Sequence, residues 1–151
     1  MKKIIFILLI SFVSASATMN LSGNWKSYSK TINNGSTTVE DEILTLNPDG
    51  TFSTTINVNV IKGESYLKNL KILVDGIWKE RQGTMVFVIK NFNIPSPVKV
   101  NKLNTDSVNA IVDIFKNRYT LDTIIIRWIL KEEGTSYTVK TEENKFITYS
   151  K

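Results

Sequence analysis

The sequence predicts an all-β fold, an antiparallel up-and-down meander of about 8–10 strands closing into a barrel. Three observations predict it. Apolar and polar residues alternate with a period of two through most of the chain after residue 24. Turn-forming groups rich in Gly, Asn and Pro fall between the alternating runs. The connections are short, as antiparallel neighbours allow and parallel ones do not.

Ahead of these runs, residues Met1 to Ala17 read as an address. Lys2 and Lys3 precede an apolar run from Ile4 to Val13, and Ala15-Ser16-Ala17 offers the small residues at which a signal peptidase cuts. The run is about half of the roughly 20 residues a spanning helix needs. A cleaved signal peptide over 1–17 is therefore expected, followed by a single β-barrel domain over 18–151. The expected protein is exported, with no stable membrane anchor after cleavage, and the periplasm is favoured over the medium as its destination.

Gly23-Asn24-Trp25 opens the first strand, and Glu42–Leu46 is the next apolar-alternating run. Asn47-Pro48-Asp49-Gly50 then supplies a tight turn, because Pro presets one dihedral and Gly tolerates a positive one. From Thr51 to Lys62, Phe52, Thr54, Ile56, Val58 and Val60 share one face, while Ser53, Thr55, Asn57 and Asn59 share the other. From Lys68 to Arg81, Leu70, Ile72, Val74, Gly76 and Trp78 share a face; the run is long, so Gly76 marks a bend or bulge. Met85–Phe92 reads as a strand apolar on both sides, with Phe87 and Ile89 opposite Val86 and Val88. Further turns are expected at Asn33-Asn34-Gly35, Lys62-Gly63-Glu64, Gln82-Gly83, Glu132-Glu133-Gly134 and Glu142-Glu143-Asn144.

Pro95-Ser96-Pro97 interrupts any continuous element. Asp106–Asn117 supports two readings. Val108, Ile111, Val112 and Phe115 follow helical spacing, with Thr105 or Asp106 available as an N-cap, yet Val108, Ala110, Val112 and Ile114 also alternate as a strand would. Enrichment in Val and Ile tips the expectation toward a strand. Thr120–Lys131, Ser136–Thr141 and Lys145–Tyr149 read as the closing strands.

Leu21-Ser22-Gly23-Asn24-Trp25, Asp49-Gly50-Thr51-Phe52 and Gly76-Ile77-Trp78 together resemble small bacterial lipocalin-like proteins, over about residues 21–92. The resemblance implies that Trp25, after Gly23, lies across the closed end of the barrel. It also implies that a late Arg packs over that indole; Arg118 and Arg127 come late enough, with Arg127 on an expected strand beside Trp128. Gly23, Trp25, Gly76 and Arg127 are thus the expected structural residues, the glycines relieving crowding beside the indoles.

Composition narrows the chemistry. The chain has no His and no Cys, which removes the commonest general base, thiol nucleophiles, disulfides and the usual zinc ligands. The 19 basic and 14 acidic residues are spread without a block of one sign, so no nucleic-acid footprint is expected. Glu40 and Glu42 share a strand face, whereas Glu132-Glu133 and Glu142-Glu143 sit in turns and read as solvated. Asp49-Gly50 lacks the ligand ladder of a calcium loop, no Gly-rich phosphate cradle is present, and Lys90, Lys99 and Lys102 read as charges that guard a strand edge. No catalytic residue, metal or cofactor is expected.

Two functional expectations follow. The first is a non-enzymatic barrel holding a small apolar or amphipathic ligand, lined by Phe52, Ile56, Val58, Leu70, Ile72, Val74, Trp78, Phe87 and Trp128. The alternative is a protein-binding or inhibitor module with a packed interior, acting through its outer face or loops. It rests on the two-sided apolar character of Met85–Phe92 and Ile124–Leu130, which an internal helix, an envelope protein or a homodimer contact could cover.

Overall fold

A computed structural model describes residues 19–95 and 98–151; the expected signal peptide lies outside the described residues. The alternating runs build β1 (Gly23–Asn33), β2 (Ser36–Leu46), β3 (Thr51–Lys62), β4 (Ser65–Arg81) and β5 (Thr84–Asn93). A three-residue β6 (Lys99–Asn101), the helix α1 (Thr105–Thr120), β7 (Ile124–Glu133), β8 (Ser136–Thr141) and β9 (Phe146–Ser150) complete the chain. The ladder runs β3-β2-β1-β9-β8-β7-β5-β4, and β3 also pairs with β4, which closes eight strands into an antiparallel up-and-down barrel. Strand β6 adds only to the first part of β4, at Tyr66–Lys68.

Hairpin chemistry explains the register. Asn34 and Gly35 (φ 49° and 74°) and Gln82 and Gly83 (φ 52° and 78°) all take left-handed backbone, the geometry of two-residue turns whose twist matches that of the strands. The bulge expected at Gly76 is present: the β4–β5 register shifts between Asp75 and Gly76. A Cβ at Gly76 would lie 2.0 Å from the Val88 carbonyl oxygen, so only glycine lets the two backbones approach this closely.

The segment tipped toward a strand is instead the helix α1. Closure explains why, since β7 is already paired with both β5 and β8 and the barrel offers no free edge beside it. The N-cap is Asn104, one residue before the earlier of the two expected caps, and its side chain accepts a hydrogen bond from the Ser107 backbone N–H at 2.8 Å. Phe115 and Tyr119 are buried, and Val108, Ile111 and Val112 pack on the core, the face that the i, i+3, i+4, i+7 spacing describes. Because α1 runs to Thr120, β7 starts at Ile124, later than the expected Thr120. Sixteen residues span ~24 Å, enough to reach across one end of the barrel.

The other end is closed by Trp25. Its ring is fully buried, its Nε1–H donates to the Leu21 carbonyl at 2.7 Å, and Tyr137 packs edge-on with ring centres 4.7 Å apart. The cation over this indole is the Lys151 ammonium, 4.8 Å from the ring centre. Arg127, which the lipocalin-like resemblance offered for that place, lies inside the barrel, over the Phe87 and Tyr149 rings at 5.2 and 5.5 Å. Between the ends, Leu44, Leu46, Phe52, Val58, Leu70, Ile72, Val74 and Phe87 form a packed apolar core, each at most 4 % exposed.

Candidate binding site at the helix-capped mouth

Along β2 the inward positions change character, from Leu46 and Leu44 to Glu42 and then Glu40 toward α1. Glu42 is 8 % exposed, and a carboxylate so placed is tolerable only when every lone pair is occupied. Thr54 Oγ1–H donates to Oε1 at 2.9 Å, Tyr149 O–H donates to Oε2 at 2.6 Å, and Ser27 Oγ–H donates to Oε2 at 3.3 Å. Arg127 Nη1–H donates to the Tyr149 hydroxyl oxygen, and its Nη2 stands 3.9 Å from Glu42 Oε1. A phenol thus bridges a buried guanidinium and a buried carboxylate. Burial works against the Arg127 cation, but Tyr149 and Glu42 outweigh it and keep the group charged.

Above this polar layer sits the helix. Arg118 at its C-terminal turn donates from Nη1 to both Glu40 oxygens, at 3.0 and 3.1 Å, and its guanidinium lies 4.9 Å from the Phe115 ring centre. Two clefts flank α1. One of about 380 Å³ lies against the β1–β2 hairpin, with Val60, Leu103, Ile111, Ile114 and Phe115 as apolar lining. The second, of about 410 Å³, runs between the end of α1 and β7–β9, and reaches down to Ile56, Glu42 and Arg127. Thr31, Glu40, Arg118 and Lys145 line both. The second cleft exists because β1 and β9 meet at a single register pair, Lys26 with Ser150.

The structure distributes the expected lining residues unevenly. Ile56 lines the second cleft. Phe52, Val58, Leu70, Ile72, Val74 and Phe87 pack against one another in the core, with Phe52 and Phe87 edge-to-face at 5.1 Å. Trp78 lies near the closed end, donating from Nε1–H to the Asn47 carbonyl at 3.1 Å. Trp128 faces outward and is 39 % exposed, because its neighbour Arg127 takes the inward position and alternation sends Trp128 to the other side. Sequence reasoning missed Arg118, Ile111, Ile114 and Phe115 at the mouth, although their helical spacing was visible. It also set aside Glu40 and Glu42, whose phase with Leu44 and Leu46 on β2 was the signal of an inward carboxylate.

The buried phenols give the fold a pH signature. Burial pushes Tyr119 from its ordinary 10.0 up to about 12, and raises Tyr137 and Tyr149 as well. The folded state holds these groups neutral, so their contribution is complete below pH ~10 and is lost above it, where the unfolded chain ionises first. Each of the three should remove ~1.4 kcal/mol of stability per pH unit until its folded-state value is passed. In a spectrophotometric titration, the phenolate absorbance of three of the five tyrosines should appear together with loss of far-ultraviolet β signal. Smooth ionisation of all five in a chain that stays folded would contradict the buried placement.

Among the described residues, no group of three or more Asp and Glu side chains is placed to hold a metal ion, and no helix is long and apolar enough to cross a membrane. No protein-family model matches the chain, and no curated protein matches its sequence.

Proposed function

We propose that the chain is an exported, non-enzymatic, lipocalin-like binding protein that takes a small amphipathic molecule at the helix-capped mouth of its barrel. The observation that carries this reading is the pair of clefts beside α1, where apolar Val60, Leu103, Ile111, Ile114 and Phe115 stand next to the Arg118–Glu40 ion pair. An apolar segment has a surface to lie on, and a polar head has charged partners within reach. The leader-like residues 1–17 support export to the periplasm, and the lack of His and Cys supports binding rather than catalysis. The packed apolar core supports a ligand seated at the mouth rather than at the barrel centre.

Burying ~300 Å² of ligand apolar surface is worth ~7 kcal/mol before association losses, which sets micromolar affinity as the expected scale. No Trp lines either cleft, so calorimetry is a better reporter than intrinsic fluorescence. Titration with fatty acids, sterols and tetrapyrroles should give saturable heat for at least one class. Ile114 is 63 % exposed, so Ile114→Glu should leave the melting temperature unchanged while weakening binding ~10-fold or more, through a charge placed on the apolar wall. Absence of heat across the panel, or full affinity in Ile114→Glu, counts against the mouth as the site.

A further inference from the structure

The outer surface of β4, β5 and β7 is apolar where a solvated barrel face should be polar. Its rows follow from the ladder. Ile77 stands beside Val88 and Val88 beside Ile124; Lys79 stands beside Val86 and Val86 beside Ile126; Thr84 stands beside Trp128. Ile77, Ile124 and Trp128 are 47 %, 49 % and 39 % exposed. The Ile126 backbone N–H donates to the Glu142 carboxylate at 3.2 Å, which fixes Glu142 at the far end of the row that Lys79 begins.

We infer that this face is a self-complementary interface through which two copies of the chain form a two-fold dimer. A two-fold axis lying in the interface, parallel to the strands and midway between Val86 and Ile126, carries each row onto its own reverse. It lays Val86 on the partner's Ile126, Val88 on the partner's Ile124, and Thr84 on the partner's Trp128. The same rotation brings Lys79 onto the partner's Glu142, so opposite charges meet twice, once on each side of the axis. Both Lys79 and Glu142 are exposed in the single chain. Apolar rows on apolar rows with opposite charges at both ends are what an isologous contact requires.

Four strands at ~4.8 Å and six residues at ~3.4 Å give a face of roughly 15 by 20 Å. Such a face, ~300 Å² on each copy, is well below the standard size of stable interfaces, so a weak, transient dimer with a dissociation constant in the upper micromolar range is expected. The inference stands apart from ligand binding, since no residue of the interface apart from Glu142 and Ile126 borders a mouth cleft.

Sedimentation velocity on protein purified from cells expressing the full-length chain, from ~1 µM to ~500 µM, should show a concentration-dependent monomer–dimer equilibrium. Lys79→Glu and Glu142→Lys should each weaken dimerisation ~10-fold or more by placing like charges opposite each other twice, and the double swap should restore it to within ~3-fold. Ile126→Lys should leave the chain monomeric, with its circular dichroism confirming the fold; the charge swaps, at exposed positions, carry the test if Ile126→Lys does not fold. Monomer at every concentration, single swaps without effect, or a double swap that fails to restore association would each overturn the inference.

Discussion

Replacing Glu42 by alanine should destabilise the fold by ~3–5 kcal/mol, because it leaves Arg127 as a buried charge with its counter-ion gone. The loss has several parts. Thr54 Oγ1–H and Tyr149 O–H each lose their carboxylate oxygen, and the Arg127 side chain, 15 % exposed, cannot swing to water without leaving the Phe87 and Tyr149 rings. Removing both charges together avoids the orphaned cation. The double variant Glu42→Leu with Arg127→Met should therefore lose markedly less than Glu42→Ala alone, since apolar residues of similar volume replace a buried pair at little net loss. Urea denaturation of the single and double variants decides it. Additive losses would mean that Arg127 and Glu42 are not coupled through Tyr149.

Trp25→Ala should be comparably severe, at ~3–5 kcal/mol against a total stability of ~5–15 kcal/mol for a domain. Among the described residues the indole is the largest fully buried side chain, and alanine would leave a cavity bounded by Tyr137 with the Leu21 carbonyl no longer paired. Trp25→Phe keeps most of the packing and removes only the hydrogen bond and part of the ring, so ~1–2 kcal/mol is expected. Equilibrium denaturation at constant m-value measures both, and a Trp25→Ala loss below ~1 kcal/mol would show that another group closes the barrel.

Where one strand face was uniformly apolar, the sequence was legible to the residue. Thr51–Lys62 and Ser136–Thr141 are observed with the boundaries that alternation assigns. β4 begins at Ser65, before the Lys68 that alternation suggested, because Asn69 takes a positive φ of 60° and the β3–β4 register slips between Val58 and Val60. That local irregularity hides the period. In α1, β-branched residues disguised an amphipathic helix, and only the closed ladder around it excludes the strand.

The site was less legible, for a different reason. Glu42 and Tyr149 are 107 positions apart and Glu40 and Arg118 are 78 apart, and both pairs meet only when the barrel closes. Alternation places a side chain inside or outside a sheet, which correctly set Ile56 inward. It does not say whether the enclosed space is filled, and here Phe52, Leu70, Ile72 and Phe87 fill it. The glycine at 76 was readable as a bulge, whereas the exchange of Arg127 for Lys151 over Trp25 depended on where Lys151 comes to lie in the closed barrel.

Methyl-group nuclear magnetic resonance of the chain, with and without the best ligand of the calorimetric panel, tests the central claim most directly. Binding at the mouth predicts shift changes at Val60, Leu103, Ile111, Ile114 and Ile56, with Leu70, Ile72 and Val74 unmoved. Changes centred on those three core residues, or on Val86, Val88 and Ile124 of the outer face, would contradict it.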